Sequence, residues 1–375
     1  MKSSNLKLFF TLICFIIFNS LFIQTNQYYN DKEKRLLFDS EESIAYLKDV
    51  FKDKLKIGSM AGFQYLNEDE NFIKNHFDII IPEYELFPEI ILNQKNSIEI
   101  GNNTNPQVEF RSPKKKLFQF SEKNKIALHG HAFVWHSLTP SWLFKENFNI
   151  SEKYVTKDIM DKRLENFIKN TFALFEKEFP NLIIYSYDIV TEIFLTDGGG
   201  LRKEQESNWV KIYGDDSFVI KAFTYARKYA PKGCKLLFSD FNEYIPEKTN
   251  DIYNIALKLK ELGIIDGIGM QSHLSDNYPS LDDYKIAFEK FCSTGLEIFI
   301  TELEIVSKDL DKQCNFYKNL FLLYLENKEY ISGIIFYAVN DRWMWTTQIN
   351  SGLFDYKNRP TKSYYCVIDA VDNKD

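Results

Sequence analysis

Short apolar runs rich in β-branched residues recur along this chain, and several end abruptly on a carboxylate. The run at 189–191 stops at Glu192, 297–301 at Glu302, 77–82 at Glu83, and 235–239 at Asp240. Such runs lack the in–out alternation of a half-exposed sheet, so they read as strands covered on both faces, the signature of a parallel sheet. Strand-like segments fall at 55–60, 77–83, 126–135, 182–192, 235–242, 267–274, 297–305 and 331–341. Helical patterns lie between them at 155–179, 218–229, 252–262, 281–292 and 310–325, and a last helix follows Pro360. Eight strands alternating with helices predict an α/β chain folded as a single (β/α)8 TIM barrel, in which the C-terminal strand ends build the active site.

The barrel is expected over 28–375 as one domain, with no internal repeat and with 93–116 as a surface loop. Lys2 and Lys7 precede an apolar stretch from 8 to 23, the pattern of a secretory signal peptide, here placed at 1–27. A secreted, extracellular location follows as an expectation, with an uncleaved membrane anchor as the alternative. The net charge of −7, with both signs interspersed, offers no basic field for nucleic acid. Most of the 33 Phe and 22 Tyr must be core. Beyond Cys14, the four cysteines 234, 292, 314 and 366 permit three pairings and show no zinc-type spacing. Asn102 and Asn149 begin glycosylation sequons.

Glutamates converging at strand ends beside His131, His136 and His273 suit acid–base or nucleophilic chemistry on a neutral, hydroxyl-rich substrate. Two glutamates across a barrel mouth can divide the work, one protonating a leaving oxygen while the other attacks an anomeric carbon. The competing reading of either glutamate alone is a salt-bridged wall residue. A metal site at His129, His131 and His136 is disfavoured, because no acidic or cysteine ligand is interleaved among them. No metal or cofactor is expected.

On these residues the chain resembles the family 10 glycoside hydrolases, the retaining endo-β-1,4-xylanases, over 55–365. The segment 128–137 (Leu-His-Gly-His-Ala-Phe-Val-Trp-His-Ser) is similar to that family's third-strand motif, and 267–274 (Gly-Ile-Gly-Met-Gln-Ser-His-Leu) to its sixth. Tyr187-Asp188-Ile189-Val190-Thr191-Glu192 resembles Trp-Asp-Val-Val-Asn-Glu, which implies that Glu192 is the acid/base. Ile300-Thr301-Glu302-Leu303-Glu304 resembles Ile-Thr-Glu-Leu-Asp, which implies that Glu302 is the nucleophile. The resemblance further implies that His273, held by Glu304, supports Glu302. It places Glu83, His131, Trp135, Gln271, Tyr337 and Trp345 around the substrate, a polysaccharide or oligosaccharide bound by a monomer.

Departures from the pattern gather at that site. Thr191 stands for the family's Asn, Tyr84 and Phe87 for Asn and Lys, Leu138 for Gln, Ser239 and Phe241 for Asn and Tyr, and Tyr337 for Trp. Three readings follow: a secreted retaining endo-glycosidase acting on β-1,4-xylan or a related β-glycan, a carbohydrate-binding barrel with weak or no turnover, and a protein that retains only the fold.

Overall fold

The computed structural model describes residues 44–337, 339–343 and 352–372. The segment expected as a signal peptide and Trp345 lie outside them. Eight parallel strands close a barrel: β1 (Ile57–Ala61), β2 (Ile79–Pro82), β3 (Ala127–Val134), β4 (Ile184–Thr191), β5 (Lys235–Asp240), β6 (Gly267–Met270), β7 (Glu297–Val306) and β8 (Ile331–Phe336). Each strand pairs with the next, and β8 returns to β1 with Ile57 opposite Ile334. Eight helices follow the strands in turn: α1 (Leu66–His76), α2 (Lys116–Asn124), α3 (Lys157–Glu178), α4 (Ser217–Tyr229), α5 (Pro246–Glu261), α6 (Leu281–Cys292), α7 (Leu310–Glu326) and α8 (Lys362–Asp372).

The wall is apolar because both faces are covered: every residue of β1, β2 and β6 is buried. Inside it the fit is close. A Cβ on Gly130 would come within 2.2 Å of the Tyr187 ring, which stacks on Phe133 at 4.3 Å, so only glycine fits there. Helix starts are fixed by local chemistry. Thr156, Ser280 and Asp309 side chains accept backbone N–H groups at the first turns of α3, α6 and α7. Pro246 opens α5 at its first position, six residues before the apolar pattern alone would start it.

Two expectations need correction. The segment 93–116 is not a plain loop: Asn93 caps a helix over Gln94–Glu99, and Leu92–Asn93 pairs antiparallel with Gln107–Val108. The sixth strand does not run unbroken to 274. It stops at Met270 and resumes at His273–Ser275, with Ser272 in the left-handed region at φ 59°. Cys314 and Cys366 form a disulfide between α7 and α8, while Cys234 and Cys292 are free thiols.

Strand register shifts where the chemistry is. On β7, three steps from Ile300 to Leu303 face two steps of β8, from Ile334 to Phe336. Against the other neighbour, four steps from Ile300 to Glu304 face three from Met270 to His273. β7 therefore bulges around Thr301 and Glu302, and bulges re-aim side chains. Similar shifts fall between His131 and Val134 on β3 and between Asp188 and Val190 on β4.

Candidate active site

Glu302 projects from the bulge of β7 and is nearly buried. His273 Nε2 lies 3.4 Å from its Oε2, and the other ring nitrogen, Nδ1, donates to Glu304 Oε1 at 2.7 Å. Burial works against a charge on His273, but the carboxylates of Glu302 and Glu304 outweigh it and raise the imidazole to about 10. On the opposite side, His131 Nδ1 is 4.0 Å from Glu302 Oε1. Burial again opposes the charge on His131, yet its bond to Asp188 and the nearby Glu302 raise it to about 9. Negative charge at Glu302 is thus faced by two imidazoles held in their charged form.

Asp188 is the hub beneath. Its Oδ2 accepts from His131 Nδ1 at 2.8 Å and from His129 Nε2 at 3.1 Å. Burial alone would raise this carboxyl, but the two imidazoles, His129 foremost, bring it down to about 2. Ser186 Oγ meets the remaining nitrogen of His129 at 2.8 Å, so both ring nitrogens of that histidine are engaged inside the wall.

Glu192 begins the loop after β4 with φ 55°, a conformation that costs a residue with a Cβ. Arg202 Nε donates to its carbonyl at 2.7 Å and helps to hold that turn. Its side chain accepts from Gln271 Nε2 at 3.1 Å, and its other oxygen lies 3.7 Å from His136 Nδ1. Burial first, and then the Arg202 charge, push His136 below its ordinary value, against the pull of Glu192. The surroundings of the two glutamates therefore differ in kind: charged imidazoles around one, an amide and a lowered imidazole around the other.

Thr191 is fully buried, and its hydroxyl accepts from Ser239 Oγ at 3.0 Å and Gln271 Nε2 at 3.3 Å. The two shortened residues, Thr191 and Ser239, thus pack as a bonded pair. Trp135 stands beside His131, with ring centroids 5.3 Å apart, and its buried Nε1 has no hydrogen-bond partner among the described residues. Phe87 packs edge-on against Trp135 at 5.3 Å and against Tyr84 at 5.9 Å, and Tyr84 is 46% exposed. Glu83 accepts from Gln64, and burial followed by the Glu85 charge raises its carboxyl. Tyr337 meets His273 edge-on at 5.1 Å. The structure so gathers all the described candidate residues around one barrel mouth.

Sequence reasoning gave no role to several neighbours. Asp188 lay in a motif but at a mid-strand position, where an acidic residue has no periodic signal. Lys248 is wholly buried, paired with Asp240 at 2.8 Å and lying 4.2 Å over the Phe241 ring. Burial raises Asp240 to about 7 despite that lysine. Glu243, also fully buried, accepts from the backbone of Ser272. A charged residue three to eight positions past a strand end is the sequence signal that points to Glu243 and Lys248, and it is weak.

The comparisons agree with this geometry. The chain is 50% identical over 326 residues to the bifunctional endo-1,4-β-xylanase XylA of Ruminococcus flavefaciens, covering 87% of this chain and 34% of that protein. It thus spans about a third of the length of that curated relative. Among solved structures, the endo-1,4-β-D-xylanase 10B modules of Clostridium thermocellum, complexed with xylohexaose, superpose with a TM-score of 0.82 at 35% identity, over 87% of this chain and 68% of that one. TsXylA, an intracellular xylanase of Thermoanaerobacterium saccharolyticum, gives a TM-score of 0.77 at 30% identity, over 87% and 99%. The family model for glycosyl hydrolase family 10 matches residues 46–370, nearly all of the barrel described above. A closed parallel barrel with two glutamates at its mouth and a match of that extent lead to one conclusion: the chain belongs to glycosyl hydrolase family 10.

Proposed function

We propose that this chain hydrolyses β-1,4-xylan or a closely related β-glycan within the polymer, by double displacement with retention. The observation that carries the reading is the pairing of Glu192 with Gln271 and of Glu302 with His273, each glutamate in its own electrostatic setting. Glu302 attacks the anomeric carbon while Glu192 gives its proton to the departing glycosidic oxygen. Water then enters, Glu192 takes a proton from it, and the bond to Glu302 breaks. His273 and His131 meet the charge that returns to Glu302 in the second step. Trp135, Phe87 and Tyr84 line the side on which the sugars before the cleaved bond lie. The substrate class is supported by relatives whose names carry xylanase activity and by a similar structure solved with xylohexaose. Secretion with loss of the N-terminal segment, and action as a monomer, belong to the same proposal.

The test is a reducing-sugar assay across xylan, β-glucan, mannan and cellulose, with the anomer of the first product read by NMR. Xylan should be cut fastest, and the first product should be the β-anomer. An α-anomer would overturn the double displacement. Absence of turnover on all four polymers, with retained binding of xylo-oligosaccharides, would favour the non-hydrolytic binding barrel instead.

A further inference from the structure

The segment that serves both glutamates is three residues long. Gln271 reaches Glu192, His273 reaches Glu302, and between them Ser272 holds a left-handed φ of 59° without being glycine. β6 ends at Met270 and regular pairing resumes only at His273 opposite Glu304, so Gln271 and Ser272 cross a gap bridged by single backbone bonds to Asp240 and Glu304. A further grip comes from the loop that follows the neighbouring strand β5. The Ser272 backbone N–H and its hydroxyl both donate to Oε1 of Glu243, at 2.9 Å each.

We propose that Glu243 is a positioning residue: by gripping Ser272 it aims Gln271 at Glu192 and His273 at Glu302. Glu243 follows β5, is fully buried, and is itself anchored by Thr249 Oγ1, which donates to its carbonyl at 2.7 Å. Behind Ser272 stands a file of hydroxyls. Tyr284 on α6 lies 2.7 Å from Ser272 Oγ, and Tyr324 on α7 lies 2.7 Å from Tyr284. Each hydroxyl has one proton to give, and that of Ser272 goes to Glu243. The donors therefore run in one direction, from Tyr324 through Tyr284 and Ser272 to Glu243. The file ties the aiming of the site to two helices of the outer ring. None of these four residues lies in the contacts to Glu192 or Glu302, so Glu243 acts through Ser272 and not on the substrate.

The inference rests on the roles given above to Glu192 and Glu302, and its test is arranged to fail separately. Glu243→Ala, Glu243→Gln and Ser272→Ala are compared with wild type by steady-state kinetics on xylo-oligosaccharides and by NMR titration of the His273 ring. Misaiming by about an ångström should lower kcat of Glu243→Ala by about 10- to 100-fold with little change in KM. In that variant His273 should also lose its proton at a lower pH than in wild type. Glu243→Gln keeps an acceptor for both Ser272 donors and should recover most of the lost kcat. Ser272→Ala keeps the N–H bond but loses the hydroxyl, and should fall between them. A folded Glu243→Ala with wild-type kcat and wild-type His273 titration would reduce Glu243 to a stabilising residue, whatever its melting temperature. If Glu243→Ala does not fold, Ser272→Ala decides, and wild-type behaviour in both measurements overturns the proposal. The titration needs no substrate, so a failure to cut xylan would count against the proposed function alone.

Discussion

His273 faces Glu302 across 3.4 Å while its far nitrogen is held 2.7 Å from Glu304, so one imidazole is gripped between two carboxylates. The ring's charged form is favoured in the folded state, from an ordinary 6.5 up to about 10. A raised value means that the contribution is fully present below the unfolded value and is lost as pH rises through the folded one. Denaturation midpoints of wild type should therefore decline between pH 6.5 and about 10 more steeply than those of His273→Gln. Parallel curves for the two proteins would show that the imidazole carries no such linkage.

The two glutamates should separate by leaving group. Glu302→Ala should abolish hydrolysis of every substrate. Glu192→Ala should cost about 10²- to 10⁴-fold on xylan, the usual yield of general acid catalysis, and far less on an aryl xyloside whose leaving group needs no proton. Equal losses on both substrates would reassign the acid.

Thr191→Asn tests the paired substitution. Thr191 is buried against Ser239 and Gln271, so a longer side chain alone must push on both. Overpacking of this kind costs about 1–3 kcal/mol. The single change should thus lower stability and disturb the Gln271 contact to Glu192, reducing kcat/KM. A ten-fold or greater gain on xylan would show instead that Thr191 is only a handicap.

Arg163 should be a structural keystone. It is fully buried on α3, and donates to the carbonyls of Asn103, Leu143 and Lys145 at 2.6, 2.5 and 2.8 Å. Burial pushes the guanidinium down to about 10, and a nearby Glu146 only partly offsets this. Arg163→Ala strands the carbonyls of Asn103 and Leu143, since that of Lys145 keeps the Phe148 N–H, and unsatisfied buried groups cost about 1–3 kcal/mol each. Urea unfolding should show a loss of at least about 2 kcal/mol, while kcat of the folded fraction stays close to wild type.

The barrel was legible because its strands are covered on both faces and so write apolar runs into the chain. The long amphipathic helices α3, α4, α6 and α7 were legible for the same reason. α1 was not, because Leu66–His76 carries few apolar residues, and only Ile73 of them is buried. The helix inside 93–116 hid behind Asn and Lys, residues that also compose loops. The glutamates could be read from their place at strand ends, but the break at Ser272 could not. Gly-Ile-Gly-Met-Gln-Ser-His-Leu contains no turn signal there, and the Ser272 N–H is met instead by Glu243, 29 residues earlier. The Cys314–Cys366 link was equally closed to spacing arguments, since it depends on α7 and α8 lying side by side.

The bulges in β3, β4 and β7 have an implication for how this barrel can be altered. Across each bulge the register against the neighbouring strand changes by one, and on β3 and β7 an opposite shift lies lower in the same pairing, at Leu128–His129 and Ile298–Phe299. The lower half of a strand can therefore be repacked with other apolar residues while the upper half keeps its own frame of reference. A single-residue deletion inside a bulge is a different matter. It leaves the composition nearly unchanged yet turns Glu302 or its counterparts from the lumen towards the helices. Sequence variation in this molecule should thus be tolerated by kind and refused by length.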